Sequence, residues 1–345
     1  MPPIGDTFRA LIAEKTGDGY AVDFKELAMD ALPPGDVLID VVYSSLNYKD
    51  GLAVTAKGKI IRSFPMVCGI DLAGRVLRSQ SAQFKPGDAV IIAGQGLGET
   101  RWGGFSQRAR VPAEIVTPLP AGMTLKHAMA LGTAGFTAML CLMALEQHEV
   151  MPGTREVLVT GASGGVGSIA VALLAARGYT VAASTGRPET HSYLKNLGAA
   201  TIVDRAELAT KGAALASERW AGAIDTVGGQ TLASILASTV AYGAVAACGL
   251  AGGTDLPTTV FPFILRNVSL LGINSTGAPA PLVRRAWDRL GKEVAAELAT
   301  ALAPAPLRDQ LDAIATVEPL SRIKELSAQI LAGHVRGRIV LDVNA

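Results

Sequence analysis

The chain has 345 residues, enough for two domains at roughly 100–200 residues each. Hydrophobic residues make up 49% and charged residues 18%, which excludes disorder driven by high charge and low hydrophobicity. With 31 basic against 30 acidic residues there is no field to concentrate a polyanion, so neither nucleic acid nor a membrane surface is expected as a partner, and a small molecule is.

Residues Met1 to Ala10 carry Asp6 and Arg9 and no apolar run, so no secretory signal is expected. Cys68, Cys141 and Cys248 lie far apart and suggest neither a disulfide framework nor a metal knuckle; a reducing, cytoplasmic compartment fits. The first 125 residues are β-rich and heavily punctuated by Pro and Gly, with a strand pattern over Val37–Tyr43 and a turn at Lys85–Asp88 leading into Ala89–Ile92. Ala128 to Leu145 is eighteen residues without a charge, the length at which a membrane helix is suspected. Nine of these are Ala, Gly or Thr, which suits close packing inside a protein, and a buried helix is expected.

From Glu156 short β-branched runs alternate with Ala-rich helical stretches, the pattern of βαβ units and a parallel sheet. Strands are expected at Val157–Thr160, Thr180–Ser184, Thr201–Val203, Ala223–Val227 and Ala244–Cys248, with a sixth at Val268–Ile273. They complete a doubly wound sheet of the dinucleotide-binding type. The last seventy or so residues hold one or two amphipathic helices and a final strand, Arg338–Val343, and are expected to return to the N-terminal domain.

The first of these strands runs into Gly161-Ala162-Ser163-Gly164-Gly165-Val166-Gly167 and then a helix. Near Gly164 a backbone without Cβ can approach a pyrophosphate, Gly167 allows the helix to pack on the strand, and the helix N-terminus offers N–H groups to the anion. Ala162 departs from the G-x-G-x-x-G pattern, yet strand, turn, helix and further βα units support the same reading. The same residues also spell G-x-S-x-G, a hydrolase nucleophile elbow, for which Asp225 and His334 are the formal partners. That reading gives no reason for Val166 and Gly167.

After the second strand the chain reads Ser184-Thr185-Gly186-Arg187, where an NAD enzyme usually carries an acid for the ribose hydroxyls. Hydroxyls and a guanidinium suit a 2′-phosphate, so NADPH is the expected cofactor, and Arg205 after the third strand either joins them or is a solvated surface arginine. Histidines 127, 148, 191 and 334 show no zinc-ligand spacing.

The N-terminal β-rich part, the Gly164–Gly167 turn and the returning C-terminus together resemble the medium-chain dehydrogenase/reductase superfamily over essentially the whole chain. The resemblance implies a GroES-like catalytic domain over 1–127 and 274–345 and a Rossmann NADP-binding domain over 128–273. Where zinc members carry Cys-x-x-Asp and Gly-His-Glu, this chain has Asn47-Tyr48-Lys49-Asp50 and Gly69-Ile70-Asp71, and the structural zinc lobe is missing. It therefore resembles the zinc-free, quinone-reductase-like branch.

Within that branch Ser45–Asp50, Gly98–Gly104, Ser184–Arg187 and Leu265–Ile273 resemble the NADPH-dependent acrylyl-CoA reductases. This implies reduction of an acyl-CoA substrate, acrylyl-CoA, to propionyl-CoA and a homodimer. Implied NADP contacts are Tyr48, Ser163, Gly164, Gly165, Val166, Thr185, Gly186, Arg187, Arg205, Leu250, Ile264 and Ser275. Asn47 and Tyr48, in place of the lost ligand, are the catalytic candidates, as donors to the thioester oxygen, with supply of the α-proton or a hold on the cofactor as the other roles open to Tyr48. Quinone or alkenal reduction and a non-catalytic NADPH-binding role are the alternatives.

Overall fold

The computed structural model describes residues 5–153, 155–296 and 305–345. The chain forms two units, one of Met1–Thr133, Thr276–Gly291 and Ala315–Ala345, the other of Ala134–Ser275 and Lys292–Ile314.

The first unit is built on Val37–Leu46, whose apolar residues are buried along nearly its whole length. It pairs antiparallel with Asp71–Ser79, with Arg108–Val111 and with the last strand, Arg338–Asp342. Ala315–Pro319, Ala89–Ala93 and Thr117–Pro118 complete a seven-stranded sheet. A smaller sheet joins Thr7–Thr16, Gly19–Ala28 and Met66–Val67. Its hairpin turns at Gly17 with φ +55°, a conformation open to glycine without strain. The core between these strands includes Leu11, Ile39, Val41, Leu72, Ile92, Phe105 and Leu341.

The uncharged stretch lies in the helix Leu125–Gln147, and 89% of its apolar window is buried inside the protein. The helix is broken at Gly132, at φ 50° and ψ −154°, a feature the apolar pattern does not reveal.

The second unit carries the six-stranded sheet. In spatial order its strands are Ala199–Asp204, Val181–Thr185, Val157–Val159, Trp220–Asp225, Thr239–Ala247 and Ser269–Gly272. Every neighbouring pair is parallel, and the order reverses direction at Val157–Val159, the doubly wound arrangement. Trp220–Asp225 stops two residues before its expected end, because the Asp225 carboxylate accepts from the N–H groups of Val227 and Gly228 and turns the chain there. The piece 274–345 is divided between the units. The helix Leu307–Ile314 buries Leu307, Leu311 and Ile314 and packs on Gly165–Ala176, while Arg177 pairs with Glu293 at 3.3 Å.

Gly167 is where that helix meets the strand turn, and a Cβ there would lie 2.6 Å from the Ala162 Cα. Backbone atoms cannot swing aside as a side-chain end can. Gly167→Ala is therefore expected to cost about 1–3 kcal/mol of stability, read from urea unfolding, and unchanged stability would show that the turn relaxes freely.

Candidate active site

The glycine turn opens the helix Gly165–Ala176, and its N-cap, Gly164, has no side chain to cap the first-turn N–H groups. Those amides are left for an anion. Arg187 donates to the Ser163 Oγ at 2.7 Å and to the Ser163 carbonyl at 3.2 Å, so a guanidinium lies against the turn. Ser163 is linked to Thr185 and Thr185 to Thr190 by hydroxyl contacts of 3.2 Å each, and Ala162 N–H donates to the Ser184 carbonyl at 3.1 Å. A Cβ on Gly186 would lie 2.9 Å from the Arg205 Cγ and nearer still to its Cδ and Nε, so the missing side chain admits Arg205. The neighbouring acid, Asp204, turns its carboxylate to the Ala206 N–H.

These contacts fit a 2′-phosphorylated dinucleotide: helix amides for the pyrophosphate, and Arg187 and Arg205 on either side of Gly186 for the extra phosphate. They do not fit a hydrolase. The Ser163 hydroxyl is engaged by Arg187 and Thr185, and the Asp225 carboxylate by Thr160 at 2.6 Å and by the following turn. Leu250 and Ser275 follow the fifth and sixth strands, at the C-terminal edge of the sheet. Ile264 is 69% exposed on the short crossover helix Phe261–Arg266.

In the first unit, Val37–Leu46 ends at Asn47, the N-cap of the helix Tyr48–Val54. Asp50 sits three residues on, the capping-box spacing, and accepts from the Asn47 N–H at 2.9 Å and from the Ile70 N–H at 2.9 Å. Asp71 accepts from Ser45 Oγ at 2.6 Å, Asn47 Nδ2 at 2.8 Å and the Thr133 N–H at 2.9 Å. Arg338, 2% exposed, donates to Ser45 Oγ, the carbonyls of Leu46 and Ala130, and Asn47 Oδ1 at 2.8–3.1 Å.

This corrects the expectation for Asn47. Its amide N–H groups are directed at Asp71 and Asp50 and its oxygen at Arg338, so it has no donor left for a substrate oxygen. Tyr48 is 49% exposed and remains the accessible member of the pair. Lys49 pairs with Glu99 at 2.9 Å and donates to Thr276 at 3.2 Å. Among the described residues no group of three or more His, Cys, Asp or Glu side chains is arranged to hold a metal. Arg338 is not among the site residues expected from the sequence, although an arginine directly opening the apolar run Ile339-Val340-Leu341 is a signal.

Burial, and after it the charge of Asp71, pushes the Asp50 carboxyl up to about 7, against the bonds from Asn47 and Ile70 that favour its ionised form. An unfolded aspartate titrates near about 3.9, so the folded protein holds a proton that the unfolded chain has lost. The resulting stability is full below about pH 4 and is lost as pH rises through about 7. Relative to Asp50→Asn, the wild type should lose up to about 1.4 kcal/mol per pH unit across that window in urea unfolding. Parallel curves would show that Asp50 stays ionised.

Residues 33–121 match the alcohol dehydrogenase GroES-like domain family and residues 165–292 the zinc-binding dehydrogenase family. The chain is 49% identical, over 98% of its length and 100% of the relative's, to acrylyl-CoA reductase AcuI of Ruegeria pomeroyi. It is 44% identical to the putative quinone oxidoreductase YhfP of Bacillus subtilis, over 97% of this chain and 99% of that one. The crystal structure of the Salmonella enterica yhdH oxidoreductase in complex with NADP superposes with a TM-score of 0.90 at 48% identity, covering 97% of this chain and 99% of that one. The GroES-like and doubly wound halves, with these full-length likenesses, show that the chain belongs to the medium-chain dehydrogenase/reductase superfamily, among the oxidoreductases that resemble acrylyl-CoA reductase.

Proposed function

We propose that the chain reduces the 2,3 double bond of acrylyl-CoA to propionyl-CoA with NADPH and without a metal. The carrying observation is the pair of arginines at the glycine turn, Arg187 against Ser163 and Arg205 along Gly186, in a protein nearly half identical to acrylyl-CoA reductase AcuI. Ser163 to Val166 hold the pyrophosphate, Ser184 to Arg187 with Arg205 hold the ribose phosphate, and Leu250, Ile264 and Ser275 complete the nucleotide contacts that the resemblance implies. When bound, NADPH supplies a hydride to the β-carbon of the enoyl thioester. The negative charge then moves onto the thioester oxygen until the α-carbon takes up a proton, supplied by water, to give the propionyl thioester, and the chain's task is to place a hydrogen-bond donor at that oxygen. One such donor is worth roughly 2.7–4 kcal/mol. Tyr48 is that donor, with Asn47 holding it in place. Quinone reduction is the second reading, favoured by the likeness to YhfP.

With NADPH, acrylyl-CoA should turn over faster than crotonyl-CoA, acrolein or a quinone, and turnover should survive dialysis against a chelator. Arg187→Ala should weaken NADPH at least about tenfold and leave NADH nearly unchanged, a difference of about 1.4 kcal/mol. Equal losses for both cofactors, or faster turnover of a quinone, would overturn the reading.

A homodimer is proposed on the edge strand Ser269–Gly272. Leu270 is exposed on it, as are Phe261, Ile264 and Leu265 on the crossover helix before it. Among the described residues this edge has no strand beside it, which invites a second copy about a two-fold axis, continuing the sheet across an antiparallel seam. Sedimentation equilibrium at micromolar concentration should give twice the chain mass, and Leu270→Lys should reduce it; a monomeric wild type would reject the dimer. Three free thiols, Cys68, Cys141 and Cys248, fit the proposed cytoplasmic location, which fractionation of the source cells would check.

A further inference from the structure

Burying an arginine is costly unless its donors are met, and Arg338 meets them at the end of the central strand. The helix break at Gly132 supplies two of the partners that make this possible. It leaves the Ala130 carbonyl to Arg338 at 3.1 Å and the Thr133 N–H to Asp71 at 2.9 Å, so one end of the break faces the cation and the other the carboxylate. Thr133 adds its hydroxyl to the other Asp71 oxygen. A Cβ on residue 132 would lie 2.6 Å from the Asp71 Oδ2, 2.7 Å from the Ser45 Oγ and 2.8 Å from the Arg338 Nη2, so only glycine permits the approach.

The strand registers are set by backbone bonds and do not need this cluster. A well-packed apolar replacement would hold the same core at equal or lower cost. What the charges add is direction. The cation takes the oxygen end of the Asn47 amide and the carboxylates take the nitrogen end, so the side chain is held one way round at the residue from which the Tyr48 helix starts. Tyr48, half exposed, has little packing of its own to orient it.

We propose that Asp71 and Arg338 are a positioning pair that fixes Asn47 and, through it, the direction of the Tyr48 phenol. The pair ties the strand end at Leu46, the Ile70–Asp71 segment and the broken helix to one point, as a central ion would. This rests on the reading of Tyr48 as the group that touches the thioester oxygen.

The test uses the full chain carrying Arg338→Met, Arg338→Lys, Asp71→Asn or Tyr48→Phe. Three quantities are read: kcat with acrylyl-CoA, NADPH affinity from protein fluorescence, and hydrogen exchange without ligand. Arg338→Met should lower kcat between about tenfold and a hundredfold, the scale of a misplaced catalytic group, with NADPH affinity within about twofold of wild type. Exchange should quicken about tenfold over residues 44–54 and stay unchanged over 157–185. Arg338→Lys, which keeps the charge and loses the fork, should fall between. Tyr48→Phe should lower kcat without altering exchange. If Arg338→Met does not fold, Asp71→Asn, nearly the same size, carries the same expectations.

Wild-type kcat in Arg338→Met or Asp71→Asn, or exchange over 44–54 that does not change, overturns the proposal. So does a loss of kcat that tracks loss of NADPH affinity, the mark of general loosening. If the wild type does not reduce acrylyl-CoA, the functional reading fails instead, and the exchange data still decide whether the pair orders the segment.

Discussion

A carboxylate and a guanidinium shut away from water at the end of Val37–Leu46 set the geometry of the helix break and of the Asn47 amide. Neither charge tolerates burial alone. Asp71 and Arg338 stand 4.0 Å apart and share Ser45 and Asn47 as intermediaries, so each offsets the other, while the Leu46 and Ala130 carbonyls and Thr133 meet further protons and lone pairs of the two. The same requirement explains the helix break. An unbroken ladder would have kept the Ala130 carbonyl and the Thr133 amide for itself, and a side chain at residue 132 would have met the charged groups. Burial pulls the Arg338 guanidinium below its ordinary range, and the charges of Asp71 and Asp50 pull it back.

The second unit solves the opposite problem, keeping a cation accessible at a turn built from residues with little or no side chain. Glycine at 164 and 165 leaves helix amides uncovered, and glycine at 186 makes room for Arg205. Serine and threonine hydroxyls at 163, 185 and 190 form the short chain on which Arg187 rests. Polar groups here are supplied by the smallest residues able to carry them, which suits a surface that an extended, multiply charged ligand must lie against.

Close approach also accounts for the composition. The helix Gly165–Ala176 is buried on nearly all sides and is made of Ala, Gly, Val, Leu, Ile and one Ser, so it packs against the sheet and against Leu307–Ile314 without any polar face to solvent. The helix Leu125–Gln147 follows the same rule, which is why it imitates a membrane span in sequence while lying inside the protein.

Much of the doubly wound sheet was legible because βα alternation is a local signal. Each short β-branched run is bounded by its own turn, and the glycine turn is contiguous, so strand and cofactor class follow from neighbours in sequence. The exact strand ends were not, since the run Ala223–Val227 has apolar residues on both sides of Asp225, which makes a local turn with Val227 and Gly228. The division of 274–345 was also hidden, because which surface an amphipathic helix covers is decided by its partner and not by its own period. The buried cluster was least legible. Its members come from residues 44–50, 70–71, 130–133 and 338, and sequence spacing carries no information about a contact between residues nearly three hundred positions apart. For the same reason Asn47 reads as a free donor in sequence, whereas tertiary structure commits it, since a buried amide must satisfy whichever charges surround it.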